Sequence, residues 1–294
     1  MHAPVPRQEE PQFHEELAAK ARRWGLGTAY ALRARRIALL PEVLGLTARA
    51  ALGDRSAQPA MPPRGRFRRG GLVGAGGSLD PEFMLDAYRS GMFPFCHIGP
   101  SKWWSPDVRA VLRPEEAHIE SNLRRLIRKA RYRVTFDHDF AAVMRSCAVP
   151  REGRPPLTWV TPRVMRAFWR LHRLGHAHSV EVWDETGDLV GGLYGLAAGD
   201  VFFGESQFSF VRDASKIAVA TLHCHLAHWG FVLRDAKFPT PHLTSLGFHE
   251  MPRDEFLAIL RRHAWEPKRV GRWSVEPELS VADWRPAVRP AAAA

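Results

Sequence analysis

The stretch from Leu189 to Gly247 constrains the fold of this chain more than any other. It reads as strand, turn, strand, a loop carrying Gly204-Glu205-Ser206, a helix over Ala214–His228, a strand ending in Asp235, and a loop carrying His242. β-Branched and alternating residues support the strands, and apolar residues at helical spacing support the helix. Polar residues gather where the strands end, which is where mixed α/β sheets keep their chemistry.

The remaining segments are read around that core. Pro81–Ser90 is a helix that Ser78 or Asp80 can cap. Gly74-Ala75-Gly76-Gly77 lacks the third glycine of a dinucleotide loop and reads as a turn. Ser121–Lys129 is a basic helix, Tyr132–Phe136 a strand, and Phe140–Cys147 a short helix. The loop Val149–Pro156 carries Arg151 and Arg154, after which come a helix over Pro162–Leu174 and a strand over Ala177–Trp183. Residues 265–294 are rich in Pro, Arg and Ala, hold Trp273 and Trp284, and have little to fold around.

Residues 1–70 stand apart, with 13 Lys and Arg against 6 Asp and Glu. A helix is expected over Phe13–Leu40, broken by Gly25 and Gly27 and stopped by Pro41, followed by a Pro/Gly/Arg linker over Ala57–Gly71. The arm carries most of the net charge of +11, a balance that favours RNA phosphates or an anionic lipid surface as partner. Arg124, Arg125, Arg128 and Lys129 fall on neighbouring faces of the basic helix and offer a second place for a tRNA backbone, with a solvated face as the plain alternative.

Several chemistries are disfavoured. Cys96, Cys147 and Cys224 are too few and too scattered for a disulfide framework, which points to a reducing, cytoplasmic setting. The most apolar run, Ile37–Leu52, is interrupted by Pro41, Glu42 and Arg49, so neither a membrane span nor an export signal is expected. His176 and His178 would share one strand face without a third ligand, and His223 and His225 flank Cys224 on a helix where adjacent side chains diverge; no metal site is expected. Ser206 is no nucleophile elbow, since position 208 is Phe where that motif needs Gly, and Ser206, His242 and Asp235 form no recognisable triad spacing.

The alternative is catalysis without a covalent enzyme intermediate, such as amine attack on an activated ester. It needs a neutral amine, two reactants held together, and donors for the tetrahedral oxygen. Asp235, at a strand end, is placed to polarise the amine, with a loop cap as the plain alternative; Glu205 can hold ribose hydroxyls or a cationic acceptor, or is an exposed turn acid. Trp103 and Trp104 are either core residues or platforms for an exposed adenine, a contact of about 1–3 kcal/mol.

Ordered blocks over residues 71–260 carry a resemblance: Gly91-Met92-Phe93-Pro94, Trp103-Trp104-Ser105-Pro106-Asp107, Thr158-Trp159, His178-Ser179-Val180-Glu181, Gly204-Glu205-Ser206, and His242-Leu243 before Ser245-Leu246-Gly247. The chain resembles the leucyl/phenylalanyl-tRNA–protein transferase family. The resemblance implies an α+β fold in which a small N-terminal α/β unit precedes a GNAT-like mixed sheet with flanking helices. It divides the chain into a partly disordered extension (1–70), a small domain (71–118), a catalytic domain (119–264) and a tail (265–294).

It further implies transfer of Leu, Phe or Met from aminoacyl-tRNA, the co-substrate, to the α-amine of proteins beginning with Arg or Lys, without metal or coenzyme; a monomer is expected because no additional apolar stripe stands out in the sequence. By position, Asp235 matches the catalytic Asp, Glu205 the site Glu, and Trp103 or Trp104 with Trp159 the adenosine pocket; Phe203, Ser206, Gln207, Leu233 and His242 complete the donor side. A relative with altered donor or acceptor, and a non-catalytic aminoacyl-tRNA-binding module, are the alternatives. Two departures fall inside the site: Gln207 stands where the family has Met, and Lys237 where it has Gln. Residues i and i+2 of a strand share a face, so Lys237 should sit beside Asp235 in the catalytic site, pairing with it or facing the oxyanion; it would weaken Asp235 as a base and repel a cationic acceptor.

Overall fold

A computed structural model describes residues 10–59, 69–150 and 156–286. Most of the Pro/Gly/Arg linker, Arg151 and Arg154 of the following loop, and the Ala-rich end lie outside those residues.

The described residues of the arm are mostly helical. Helix α1 (Leu17–Ala31) runs through both glycines, and a short α2 (Ala34–Ile37) leads into α3 (Leu40–Ala51). Pro41 therefore begins a helix instead of stopping one, because a first-turn residue needs no amide hydrogen. Gly27 is buried where a Cβ would lie 2.7 Å from Ile98 Cγ2, so the glycine permits close packing. Phe13, Leu46 and Ala57 join the main core.

Next come β1 (Leu72–Ala75), α4 (Pro81–Arg89), β2 (Phe93–Pro94) and β3 (Lys102–Trp104), and the three strands form a small antiparallel sheet in the order β1-β3-β2. Strand β4 (Val108–Leu112) then crosses into the large sheet, so the division expected at 118 cuts through a shared core. The elements that follow are α5 (Ser121–Arg128), β5 (Arg133–Phe136), α6 (Phe140–Ala148), α7 (Pro162–Arg173), β6 (Ala177–Trp183), β7 (Leu189–Ala198), β8 (Val201–Ser209), α8 (Ala214–His228), β9 (Leu233–Asp235), α9 (Pro241–Ser245), β10 (His249–Pro252) and α10 (Arg253–His263).

The seven-stranded sheet has the order β10-β4-β9-β8-β7-β6-β5. Its neighbours are antiparallel except β8 and β9, which run parallel because α8 carries the chain back between them. One face packs Tyr194, Val201, Phe203 and Phe208 with residues of α4, α6, α7 and α10; the other packs Leu193, Ala197 and Phe202 with α8 and Trp273. Trp273 and its neighbours thus complete a core, against the expectation of a tail with little to fold around. No helix among the described residues is long and apolar enough to cross a membrane.

Glu181 lies inside this sheet on β6. Its carboxyl accepts from the hydroxyls of Ser179 and Thr135 (2.6 Å for the latter) and from the His138 amide. Burial pushes it from the usual 4.5 up to about 7, against the pull of those bonds. The folded chain therefore keeps a proton that the unfolded chain releases near 4.5, so stability falls as pH rises across that window. Glu181→Gln, neutral throughout, should remove a loss of roughly 3 kcal/mol between pH 5 and 8. Thermal melts of both proteins at the two pH values check this; parallel pH dependence would contradict it.

Candidate active site

Strand β8 does not loop at Gly204-Glu205-Ser206 but bulges. Its pairing to β7 passes from Gly195↔Gly204 to Tyr194↔Ser206, leaving Glu205 as the extra residue. Such a bulge re-aims a side chain. Here the Glu205 carboxylate turns fully inside, and its Oε1 accepts from Tyr88 Oη at 2.7 Å and Lys237 Nζ at 2.6 Å. Its Oε2 is buried without a partner, as is the Tyr194 hydroxyl. Burial raises the Glu205 pKa, with Lys237 and Tyr88 pulling it back.

Lys237 reaches that carboxylate because two ladders end at different places. Strands β8 and β9 pair only as far as Phe203↔Asp235, while the chain beyond β9 stays bonded to β4, from Ala236 N to Ala110 O at 2.8 Å and from Ala110 N to Lys237 O at 3.0 Å. The parallel pair is splayed there. Lys237 takes φ +69°, and its ammonium bends across the gap to the Gly204 carbonyl at 2.5 Å.

This corrects the expected pairing of Lys237 with Asp235. Only the Lys237 amide bonds Asp235, at 3.0 Å to Oδ1. Both Asp235 oxygens are held by Arg109, Nε at 3.0 Å and Nη2 at 2.5 Å, with both side chains buried. The third guanidinium nitrogen donates to the Gly91 carbonyl at 3.1 Å, and the rings of Phe93 and Phe256 lie 5.0 and 4.4 Å from Arg109 Cζ. As placed, Asp235 contacts no open space: it positions Arg109 and the turn at Lys237.

Arg109 was missed, as was Arg234 on the opposite face. Arg234 is buried under Gly204, where a Cβ would lie 3.6 Å from its Nη2. Its Nη1 donates to His223 Nε2, its Nε has no partner, and burial lowers its pKa to about 10. It therefore stays charged at neutral pH.

The expected donor residues do not share one wall. Trp103 is sealed in the core with its indole on the Gly76 carbonyl, so it offers no face to a base. Trp104 bonds the Phe95 carbonyl and borders a cavity of about 90 Å³ that Tyr30 and Leu40 of the arm cover. Trp159 and Ser206 line a cleft of about 220 Å³, and Phe95 stands 5.8 Å from Trp159 and 6.2 Å from the exposed Phe238. Gln207 and His242 border a separate cleft of about 310 Å³ beside α8 with His223 and Lys216, and His242 belongs to α9 rather than a loop. Phe203 and Leu233 are core residues.

The basic helix also divides. Arg124 is buried on the carbonyls of Ile119, Ala282 and Trp284 and fastens the C-terminal segment, whereas Arg128 is exposed and pairs with Asp283 at 2.8 Å at the surface. Arg125 and Lys129 remain open and line a cleft of about 360 Å³ with Arg212 and Lys216. Lys20 and Trp24 of the arm face Arg163 and Arg166 across another of about 680 Å³. His178 bonds Asp137 at 2.8 Å and stacks on Trp273; among the described residues, no three metal-ligating side chains converge.

Comparison with known proteins bears on this arrangement. Residues 111–261 match the family model described as leucyl/phenylalanyl-tRNA protein transferase, and residues 77–107 match the N-terminal domain of the same family. A leucyl/phenylalanyl-tRNA–protein transferase of Pseudomonas syringae pv. syringae is 53% identical over 198 residues, covering 67% of this chain and 86% of that protein. One from Azotobacter vinelandii is 47% identical over 228 residues, covering 76% and 95%. Among solved structures, L-PGS from Bacillus licheniformis aligns with a TM-score of 0.32 at 12% identity over 56% of this chain and 55% of its own, too slight a likeness to argue from. The two family models and the extent of these identities place the chain in the leucyl/phenylalanyl-tRNA–protein transferase family.

Proposed function

We propose that the chain moves an aminoacyl group of the Leu, Phe or Met type from the 3′-terminal adenosine of aminoacyl-tRNA to the α-amine of an acceptor protein. The reaction takes place where β8 and β9 part, on a sheet of GNAT-like design. The observation that carries this reading is the buried Glu205–Lys237 pair at the splay, with one carboxylate oxygen left unpartnered. Glu205 Oε2 can accept an N–H of the incoming amine. Lys237 has three N–H groups, two of them on Gly204 and Glu205, and the third can meet the ester oxygen as it gains charge.

The step balances without a covalent enzyme intermediate. The amine nitrogen attacks the ester carbon, the C–N bond forms, the C–O3′ bond breaks, and the proton lost by the amine ends on the departing 3′-oxygen. Trp159, Phe95 and Phe238 supply aromatic faces for the terminal adenine. Arg125, Lys129 and Arg212, and across the arm Lys20, Arg163 and Arg166, supply cations for tRNA phosphates.

The test is transfer of labelled Leu or Phe from charged tRNA to peptides of varied first residue. Glu205→Gln, which keeps shape but weakens the acceptor, should lower kcat about tenfold with little change in tRNA affinity. Tight binding of charged tRNA with no transfer to any peptide would overturn the catalytic reading.

A further inference from the structure

Helices α1 and α3 of the arm each leave a stripe of uncharged residues outside. On α1 and its C-terminal cap, Leu17, Ala21, Gly25, Thr28 and Leu32 follow one another at helical spacing, and all are exposed. On α3 and its cap, Pro41, Leu44, Ala48 and Leu52 do the same. Leu17 is 84% exposed and Leu52 87%. Of the 13 large apolar side chains exposed among the described residues, six belong to this arm, so the feature is concentrated rather than scattered. The inner faces of both helices are already used: Gly27 meets Ile98, Tyr30 stands edge-on to His97 at 5.1 Å, and Leu46 joins the main core. The outward stripes are therefore not what holds the arm to the protein.

The charge beside them has one sign. Residues 17–41 contain six Lys and Arg and no Asp or Glu, and Arg22 and Arg33 stand exposed. We propose that the outward faces of α1 and α3 dock on an anionic lipid bilayer, with the protein resting on the membrane rather than spanning it. Leucines in such a stripe enter the boundary of the acyl chains while flanking cations meet headgroup phosphates. RNA phosphates would use the cations but give the leucines nothing to bury against. The arm of a second copy would bring like charges together. The arm precedes residues 77–107 and 111–261, which match the family models. No residue of either stripe lines the clefts that hold Trp159 or Arg125, so docking leaves both open. The proposal does not depend on the transfer reading.

The experiment is co-sedimentation of the full chain with vesicles. Partition onto equimolar phosphatidylglycerol and phosphatidylcholine should exceed that onto phosphatidylcholine alone by about tenfold, and should fall as salt is raised. Leu17→Ser, Leu32→Ser and Leu44→Ser together, a change without charge, should reduce the partition about tenfold. Arg22→Gln with Arg33→Gln should reduce it by a similar factor on the anionic vesicles and little on the neutral ones. All five residues are exposed, so the melting midpoint should stay that of the wild type. Absence of vesicle binding, equal binding to both vesicles, or binding that the serine variant retains overturns the proposal. So does a loss of tRNA affinity in the serine variant in place of vesicle binding, which would give the face to RNA. A wild-type dimer that the serine variant dissociates would give it to a second copy, and also overturns the proposal.

Discussion

Arg109→Ala should lower the stability of the fold by about 3–5 kcal/mol, the cost of leaving one member of a buried ion pair alone. Asp235 has both oxygens on that guanidinium and no exposed surface. The truncation would also strip the Gly91 carbonyl of its donor and open space between Phe93 and Phe256. Gly91 cannot retreat easily, since its φ is +77° and a Cβ there would meet Leu257 at 2.4 Å. The double replacement Arg109→Met with Asp235→Leu removes both charges and should recover most of the loss. Urea titrations of the single and double variants give the comparison. A loss under about 1 kcal/mol for the single change would mean that the pair is more hydrated than its burial indicates.

The pair also marks the limit of what the sequence discloses. Part of the site's frame was legible: β7 and α8 fall where periodicity puts them, and β9 ends at Asp235, whereas β8 runs on through the residues expected as a loop. Those are local patterns of period 2 or 3.6. Arg109 sits far from Asp235 along the chain, and no local pattern pairs them. The available signal was a lone cation inside the apolar strand Val108–Leu112, which needs a buried partner if it turns inward. The rule that places residues i and i+2 on one strand face failed at Lys237 because the chain leaves the extended region there, at φ +69°. Ser206 and Gln207 are both expected on the donor side, yet as consecutive residues of β8 they point to opposite faces and line different clefts. The misses at Arg109 and Lys237 lie in tertiary pairing and in a single unusual dihedral angle. The same holds for Arg124, whose helix was correctly placed while its carbonyl partners at Ala282 and Trp284 were out of sight.

Trp273→Ala should cost about 3–5 kcal/mol, the range for truncating a large core aromatic, although this residue lies in a segment with no regular secondary structure. Its ring is 2% exposed and stacks on His178 at 3.6 Å with 6° between the planes. Trp229 and Phe231 close on it at 4.9 and 5.7 Å. The indole donates to the Arg269 carbonyl at 2.9 Å, and the backbone amide donates to Asp137 Oδ2 at 2.7 Å. Asp137 also holds His178 and the Ser179 amide, so the segment ties β6 to the face that α8 covers. At about 2–4 °C per kcal/mol for a domain of this size, the melting midpoint should fall by roughly 10 °C. Trp273→Phe, which keeps a ring but loses the indole bond, should fall by less. Because Trp273 touches neither Glu205 nor Lys237, transfer well below the melting point should persist in both variants. A midpoint within about 2 °C of wild type for Trp273→Ala would show that residues 265–276 rest on the sheet without supporting it. Normal stability with lost transfer would instead assign the segment to the site.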